Sequence, residues 1–473
     1  MAFRLRLAKR KFFSRDTLDR SVGTVQPSTT DTSAEAGAAT SSRPSGPLNM
    51  NLVHKHPTLT ATALFLLLLS GPPRLRIRDG GASLRGDVDW VVILHVLVWG
   101  LAGLWIVLQI GKRFFAKRPV LRLRLPQIVG LALIICLSAS IWKSAAPALT
   151  AFKVYQMLIS LLFTQFFMDR FGVRTSLNAA LWGNALLCIF IAICAFLVPD
   201  MVWTASDFNP DPSRLYGALI APTGIVSVLA IILLLTTVQK IWRVLPFSLL
   251  ALFGSLLVLS LMRTAYMVAF VFFILVLLKR PNIRPLRRFT YCLCASLLML
   301  YACNWLPSVG RYRSPETIST LSDRIGLWDY LGTVTLTHSP WLGLGYYSAS
   351  RIYGPEYNPW LGTAHSIFFE ALLGGGVPSF VFLIALCLIL STYALRLLWV
   401  AKDRFSFAVS TLFLACLLFG FMGDEIDSGP VAMSFWCSAA ILPRLYEKYV
   451  TSALHPAQSH NGVPMNAETF LQP

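Results

Sequence analysis

Along most of this chain apolar and polar positions do not alternate. Apolar residues gather into unbroken runs, separated by short segments rich in Lys, Arg, Gly and Pro. A run of about 20 apolar residues crosses the hydrocarbon core of a bilayer as a helix. The runs near 56–71, 88–111, 126–142, 147–168, 176–198, 216–238, 245–261, 264–279, 289–305, 366–399, 405–422 and 430–446 are therefore expected to be transmembrane helices. The pattern predicts an all-α, polytopic bundle of about twelve spans. The first run is short. The seventh and eighth are parted only by Met262-Arg263, a spacing compatible with one kinked helix. The run at 216–238 carries Pro222 and Gly224 near its start, which predicts an irregular entry. The run at 366–399 is interrupted by Gly374, Gly375, Gly376 and Pro378.

The remaining stretches set the domain plan. Residues 1–50 have no apolar core; Arg4, Arg6, Lys9, Arg10, Lys11 and Arg15 lead into a Ser/Thr/Ala/Pro-rich tract, which predicts a disordered basic cytosolic tail rather than a signal peptide. Spans one to nine occupy 51–305. A long loop covers 306–364, too long for a simple turn. Spans ten to twelve fill 365–450, and 451–473 form a cytosolic tail. Within the loop, His338 to Trp360 is rich in Gly, Pro, Tyr and Trp, a composition that suits turns and exposed chain. Thr363-Ala364-His365-Ser366 then enters an apolar run, with Thr363 and Ser366 as expected helix caps. Glu370 follows in the first turns of that run. Broken helices at membrane depth are tolerated where they line a cavity, so the Gly374–Pro378 break predicts one there.

Charge adds sidedness. The 473 residues carry a net charge of +19, with 55% hydrophobic and only 13% charged residues. In a soluble protein that balance would raise the question of nucleic acid. Here Lys and Arg collect at alternate junctions: Lys112, Arg113, Lys117, Arg118, Arg122 and Arg124; Arg170 and Arg174; Lys240 and Arg243; Lys279, Arg280, Arg284, Arg287 and Arg288; Arg396, Lys402 and Arg404. That is the bias of cytoplasmic loops. It excludes a nucleic-acid role and puts both termini in the cytosol and 306–364 on the outer face. Arg74, Arg76, Arg78 and Arg85, next to the weak first span, run against the bias. The nine cysteines fall in or beside apolar runs, as small core residues rather than a disulfide or zinc framework.

Against this orientation, arginines on the outer side need a reason to be there. Arg263 interrupts a long apolar tract, Arg214 opens Arg-Leu-Tyr-Gly, and Arg324 belongs to Ser-Asp-Arg-Ile-Gly-Leu-Trp. Arginine captures phosphate oxygens with a planar fork of donors. Together with His365 these residues suit a phosphorylated lipid substrate. Arg311, Arg313 and Arg351 are read as snorkelling or locally paired, and His95 and Lys153 as packed within spans without a role. His338 is a weaker candidate base. Asp424, Glu425 and Asp427 are read as an exposed acidic turn, with a cation site as the alternative.

The ordered set Arg-x-x-Gly, Ser-x-x-Arg-Thr-Ala, Arg-x-x-x-Trp, Pro-Trp-Leu-Gly-Leu-Gly, then His followed by Glu and a Gly-rich break resembles the bacterial O-antigen ligase and O-antigen or exopolysaccharide polymerase superfamily, over roughly 200–445. The chain departs from that pattern at Leu261-Met262, Pro222-Thr223 and Ser366. The resemblance implies an inner-membrane glycosyltransferase that moves a glycan en bloc from undecaprenyl diphosphate on the periplasmic face. The acceptor would be the next repeat unit in a polymerase, or lipid A core in a ligase. The resemblance implies His365 as catalytic base and Arg214, Arg263 and Arg324 as donor diphosphate ligands, with Glu370 in a supporting place. It implies no cofactor and no metal. Expected partners are the lipid-linked glycan, the acceptor, membrane lipid, and polysaccharide export or chain-length-control proteins. The competing class is a lipid-linked oligosaccharide transporter, which broken helices and intramembrane arginine also suit; no internal repeat relating two halves supports it.

Overall fold

The computed structural model describes residues 57–70, 90–117, 119, 123–206, 209–215, 222–238, 243–279, 324–359, 362–401, 403–423 and 426–454. The expected ninth span, Arg311, Arg313, Asp424, Glu425, the N-terminal tail and residues 455–473 lie outside the described residues.

The described elements are helical apart from one short hairpin. In order they are α1 Pro57–Ser70, α2 Trp90–Phe115, α3 Leu125–Ala139, a 3-10 turn Ser140–Lys143 and α4 Pro147–Leu197. A helical turn at Pro199–Val202 and the strands β1 Trp203–Ser206 and β2 Asn209–Leu215 follow, paired antiparallel. Then come α5 Thr223–Thr237, α6 Val244–Ser260, α7 Arg263–Lys279, α8 Arg324–His338, α9 Ser348–Tyr357, α10 Ile367–Val400, α11 Arg404–Phe421 and α12 Gly429–Leu454. Among the described residues, five helices are long and apolar enough to cross a membrane: Val92–Phe115, Leu125–Lys143, Pro147–Leu197, Ile367–Val400 and Arg404–Phe421. Two further apolar helices, α5 and α6, are shorter. Among the described residues these helices account for part of the twelve expected crossings.

Local chemistry explains the boundaries. α4 joins two expected spans without a loop, because Gly172 takes φ 73° and turns the chain between them. α6 and α7 are separate helices: Leu261 closes α6 in the left-handed conformation at φ 47°, and α7 starts two residues later. α5 begins at Thr223 with Pro222 as its cap residue, so that proline starts the helix instead of bending it.

The core is apolar and aromatic. Phe163 stacks on Phe167 at 5.4 Å between centroids, and Trp105, Phe65 and Phe171 extend the group across α1, α2 and α4. α3 and α12 approach closely, since a Cβ on Gly130 would lie 3.1 Å from the Trp436 ring. Outward, Ile93, Leu97, Leu101, Leu104 and Leu108 leave one stripe of α2 exposed. An uncovered apolar stripe at helical spacing is a lipid-facing surface.

The two ends of the bundle differ in their polar bonds. At one end Asp169 holds Arg113 at 2.9 Å and also Arg444, while Arg124 pairs with Glu447 at 2.8 Å. Arg113 and Arg124 belong to the basic junctions. α3 and the first half of α4 run from that end to the other. There Ser144, Thr150 and Ser348 share hydroxyl contacts of 2.8 Å, and the stretch from Ser339 to Tyr357 docks.

Candidate active site

The site is built around the break in α10. Gly375 and Gly376 leave helical geometry at φ −130° and φ 71°. Pro378 has no N–H to offer the Gly374 carbonyl four residues back. The freed backbone groups are met by the Pro-Trp-Leu-Gly-Leu-Gly segment: Leu344 N donates to Leu373 O at 2.8 Å, Gly345 N to Gly374 O at 3.1 Å, and Val377 N to Pro340 O at 2.8 Å. Such close backbone approach needs glycine. A Cβ on Gly343, at φ 69°, would lie 2.4 Å from Gly374 O, and one on Gly376 would lie 2.5 Å from Pro340 O. The Pro340–Gly345 segment is thus docked into the break. The expected exposed turns are corrected. Tyr346, Ser348, Ala349 and Ser350 are buried, and α9 occupies much of the stretch.

This docking sets the approach to His365. α8 begins with Arg324, and Trp328 follows one turn later on the same face. The Trp328 indole donates to Ala364 O at 2.8 Å and stacks on Phe369, four residues after His365, at 5.1 Å and 7°. His365 is thus clamped from both sides. Its backbone is left-handed at φ 52°, an unusual conformation for a side-chain-bearing residue and one kept where surroundings over-determine it. The half-buried ring has Nδ1 3.3 Å from Thr363 Oγ1. Arg324 Nη1 donates to Met422 O at 2.9 Å. One indole therefore joins the segment carrying Arg324 to the segment carrying His365.

Glu370 is buried and accepts from Ser350 on α9 at 3.0 Å, tying α9 to the first turn of α10. Ser366 takes the cap position without a side-chain capping bond. Arg263 is the exposed first residue of α7. The backbone of Arg214 pairs with Thr204 in the hairpin. β2 packs against α6. The geometry thus links the segment of Arg324 to that of His365, while Arg214 and Arg263 lie on the hairpin and at the start of α7. His338 lies at the end of α8 with Nδ1 2.9 Å from Val334 O, engaged with its own helix.

Sequence reasoning missed one feature here. Lys153, read as without a role, places Nζ 2.6 Å from Asp427, and Asp427 is fully buried rather than part of an exposed turn. Tyr346 Oη and Ser428 Oγ also contact that carboxylate at 3.4 and 3.1 Å, and Ser160 donates to its backbone carbonyl at 3.0 Å. The signal was present, since a lone ionisable residue in a span seeks a partner. The partner was 274 residues away. No group of His, Cys, Asp and Glu able to hold a metal ion occurs among the described residues.

No curated protein matches the chain. Residues 248–384 match the family model described as O-antigen ligase, a span that takes in Arg263, Arg324, His365, Glu370 and the break in α10. The match supports a glycan transferase of O-antigen ligase or polymerase type.

Proposed function

We propose that the protein polymerises glycan repeat units at the periplasmic face of a bacterial inner membrane. The donor is a glycan on undecaprenyl diphosphate, and the acceptor is a sugar hydroxyl of the next lipid-linked repeat. The reading is supported above all by the Trp328 to Ala364 bond, which holds a phosphate-binding residue type and a base on two joined segments. In the reaction His365 takes the proton of the acceptor hydroxyl, whose oxygen bonds to the donor's anomeric carbon. The carbon–oxygen bond to the diphosphate breaks, and its electron pair leaves with the lipid diphosphate. Arg214, Arg263 and Arg324 stabilise the departing charge. Undecaprenyl diphosphate is a competent leaving group, so the residues described need neither metal nor cofactor. Glu370 supports His365 indirectly, by fixing α9 against the turn that follows it. Ligation to lipid A core is the second reading, favoured by the description of the matching family.

Arg324→Lys keeps the charge and loses the planar fork, so turnover should fall by about 10²-fold, the order found when one preorganised donor is removed. The amount of protein in the membrane should stay constant. Arg124→Lys at the opposite end, where the arginine only pairs with exposed Glu447, is the control and should transfer normally. Wild-type turnover in Arg324→Lys removes this arginine from the site.

A further inference from the structure

Two helices of the bundle, α5 and α7, begin side by side. A Cβ on Gly224 would lie 3.0 Å from Ala265 Cβ, 3.0 Å from Met262 Cβ and 2.8 Å from Ser260 Oγ, so glycine is what lets the two helix starts touch. The leading N–H groups of a helix have no partner within it, and the macrodipole adds partial positive charge there. Here two such ends share one corner. The corner has no carboxylate of its own: residues 212–315 contain no Asp or Glu, and they supply Arg263 as the first residue of α7. The corner also faces the right end of the bundle. α7 ends at Lys279, whose ammonium donates to Ala401 O at 2.9 Å, beyond the end of α10 remote from its break. From there α7 packs on α11, which reaches Phe421 beside Trp328. Arg263 thus lies toward the end that carries Arg324 and His365.

A buried hydroxyl completes the corner. Thr223, the first residue of α5, is 1% exposed, and its Oγ1 has no hydrogen-bond partner among the described residues. Helical Cα–Cβ bonds tilt toward the N-terminus, so this side chain leans toward the open end of α5. The neighbouring hydroxyls are met. Ser260 Oγ donates to Leu257 O at 2.6 Å and accepts from Met262 N at 3.3 Å, and Thr236 and Thr237 at the far end of α5 bond back to their own helix. An unmet buried hydroxyl is kept at a cost to folding. We propose that the starts of α5 and α7 form a phosphate seat, in which the Thr223 hydroxyl and the leading N–H groups of both helices donate to phosphate oxygens and Arg263 adds positive charge. The seat rests on the corner itself. That its phosphate belongs to the lipid diphosphate of the donor rests on the transferase reading.

The test uses full-length protein in dodecyl maltoside, which carries no phosphate, titrated by calorimetry with farnesyl diphosphate and with farnesol as the uncharged probe. The diphosphate should bind and farnesol should not. Thr223→Val keeps the shape and removes the hydroxyl. It should weaken the diphosphate about tenfold, the scale of a hydrogen bond to a charged group. It should also raise the unfolding temperature of the unliganded protein, because an unmet buried group is gone. Thr223→Ser keeps a hydroxyl and should restore most of the binding. Thr237→Val, where the hydroxyl donates to Leu233 O at 2.6 Å, is the control and should bind as the wild type does. Unchanged diphosphate binding in Thr223→Val overturns the seat, and so does equal binding of farnesol. A repeat in phosphatidylglycerol nanodiscs separates the sources of phosphate: Thr223-dependent binding retained there supports the donor assignment, and its loss shows a bilayer headgroup in the seat and overturns that assignment. If Thr223-dependent binding persists while the wild type transfers no glycan, the transfer reading fails and the phosphate seat stands.

Discussion

Alanine at His365 stops polymer formation while undecaprenyl-linked repeats accumulate on the periplasmic face: this is the largest effect expected on activity. A positioned base contributes about 10²–10⁴-fold, and turnover per molecule should fall by that order. A loss of folding would lower the amount of protein and not its turnover per molecule. The cap position of α10 is Ser366, and His365 precedes it. The left-handed backbone at φ 52° is less favourable for alanine than for histidine. His365→Asn gives an independent check, because asparagine tolerates that backbone and cannot act as the base. It should be as inactive as the alanine variant, at normal protein level. His338→Ala, at a ring engaged with its own helix, should be mild. Wild-type turnover in His365→Ala, normalised for protein in the membrane, would make the residue a structural one.

The largest effect on stability is expected at the break in α10. Gly376→Ala meets two penalties together. Its φ of 71° costs any side chain roughly 1–2 kcal/mol. Its Cβ would lie 2.5 Å from Pro340 O and 2.8 Å from the Trp341 carbonyl carbon, both backbone atoms that cannot rotate away. Overpacking of this kind adds about 1–3 kcal/mol. The segment Pro340–Gly345 should lift from the break and leave the Leu373 and Gly374 carbonyls unmet inside the bundle, so folded protein should drop steeply and its unfolding temperature in detergent should fall. Gly362→Ala, where a Cβ would meet nothing within 4 Å, is the matched control and should be neutral. Equal stability of the two variants would remove the docked segment from the account of the fold.

Both effects trace to residues whose importance was unevenly readable beforehand. The apolar runs of α2, α3, α10 and α11 announce their helices, since run length alone decides whether a segment can cross a bilayer. Gly374 to Pro378 announced the break for an equally local reason, the missing proline N–H. What fills the break was not legible. Pro340–Gly345 looks like an exposed turn until its N–H groups are seen to answer carbonyls on α10, a non-local match with no period. Ser348–Tyr357, with Gly354 and Pro355 inside it, has weak helix propensity of its own; burial of Tyr346, Ser348 and Ala349 outweighs that preference. Asp427 belongs to an acidic stretch that suggests solvent, yet Lys153 from a distant helix draws it inside. Arg324 and His365 were picked out by residue type and order. The indole of Trp328 that links them follows from the four-residue spacing only once the position of Ala364 is known.

The central claim is that this bundle forms glycosidic bonds from a lipid diphosphate donor. Purified full-length protein in liposomes, given undecaprenyl-diphosphate-linked repeat units and no other protein, tests it most directly by resolving the products by length. The account predicts a ladder of lipid-linked oligomers with release of one undecaprenyl diphosphate per bond formed, both absent with His365→Ala. Movement of unaltered repeat units from one leaflet to the other, with no bond formed, would contradict it and make the protein a transporter.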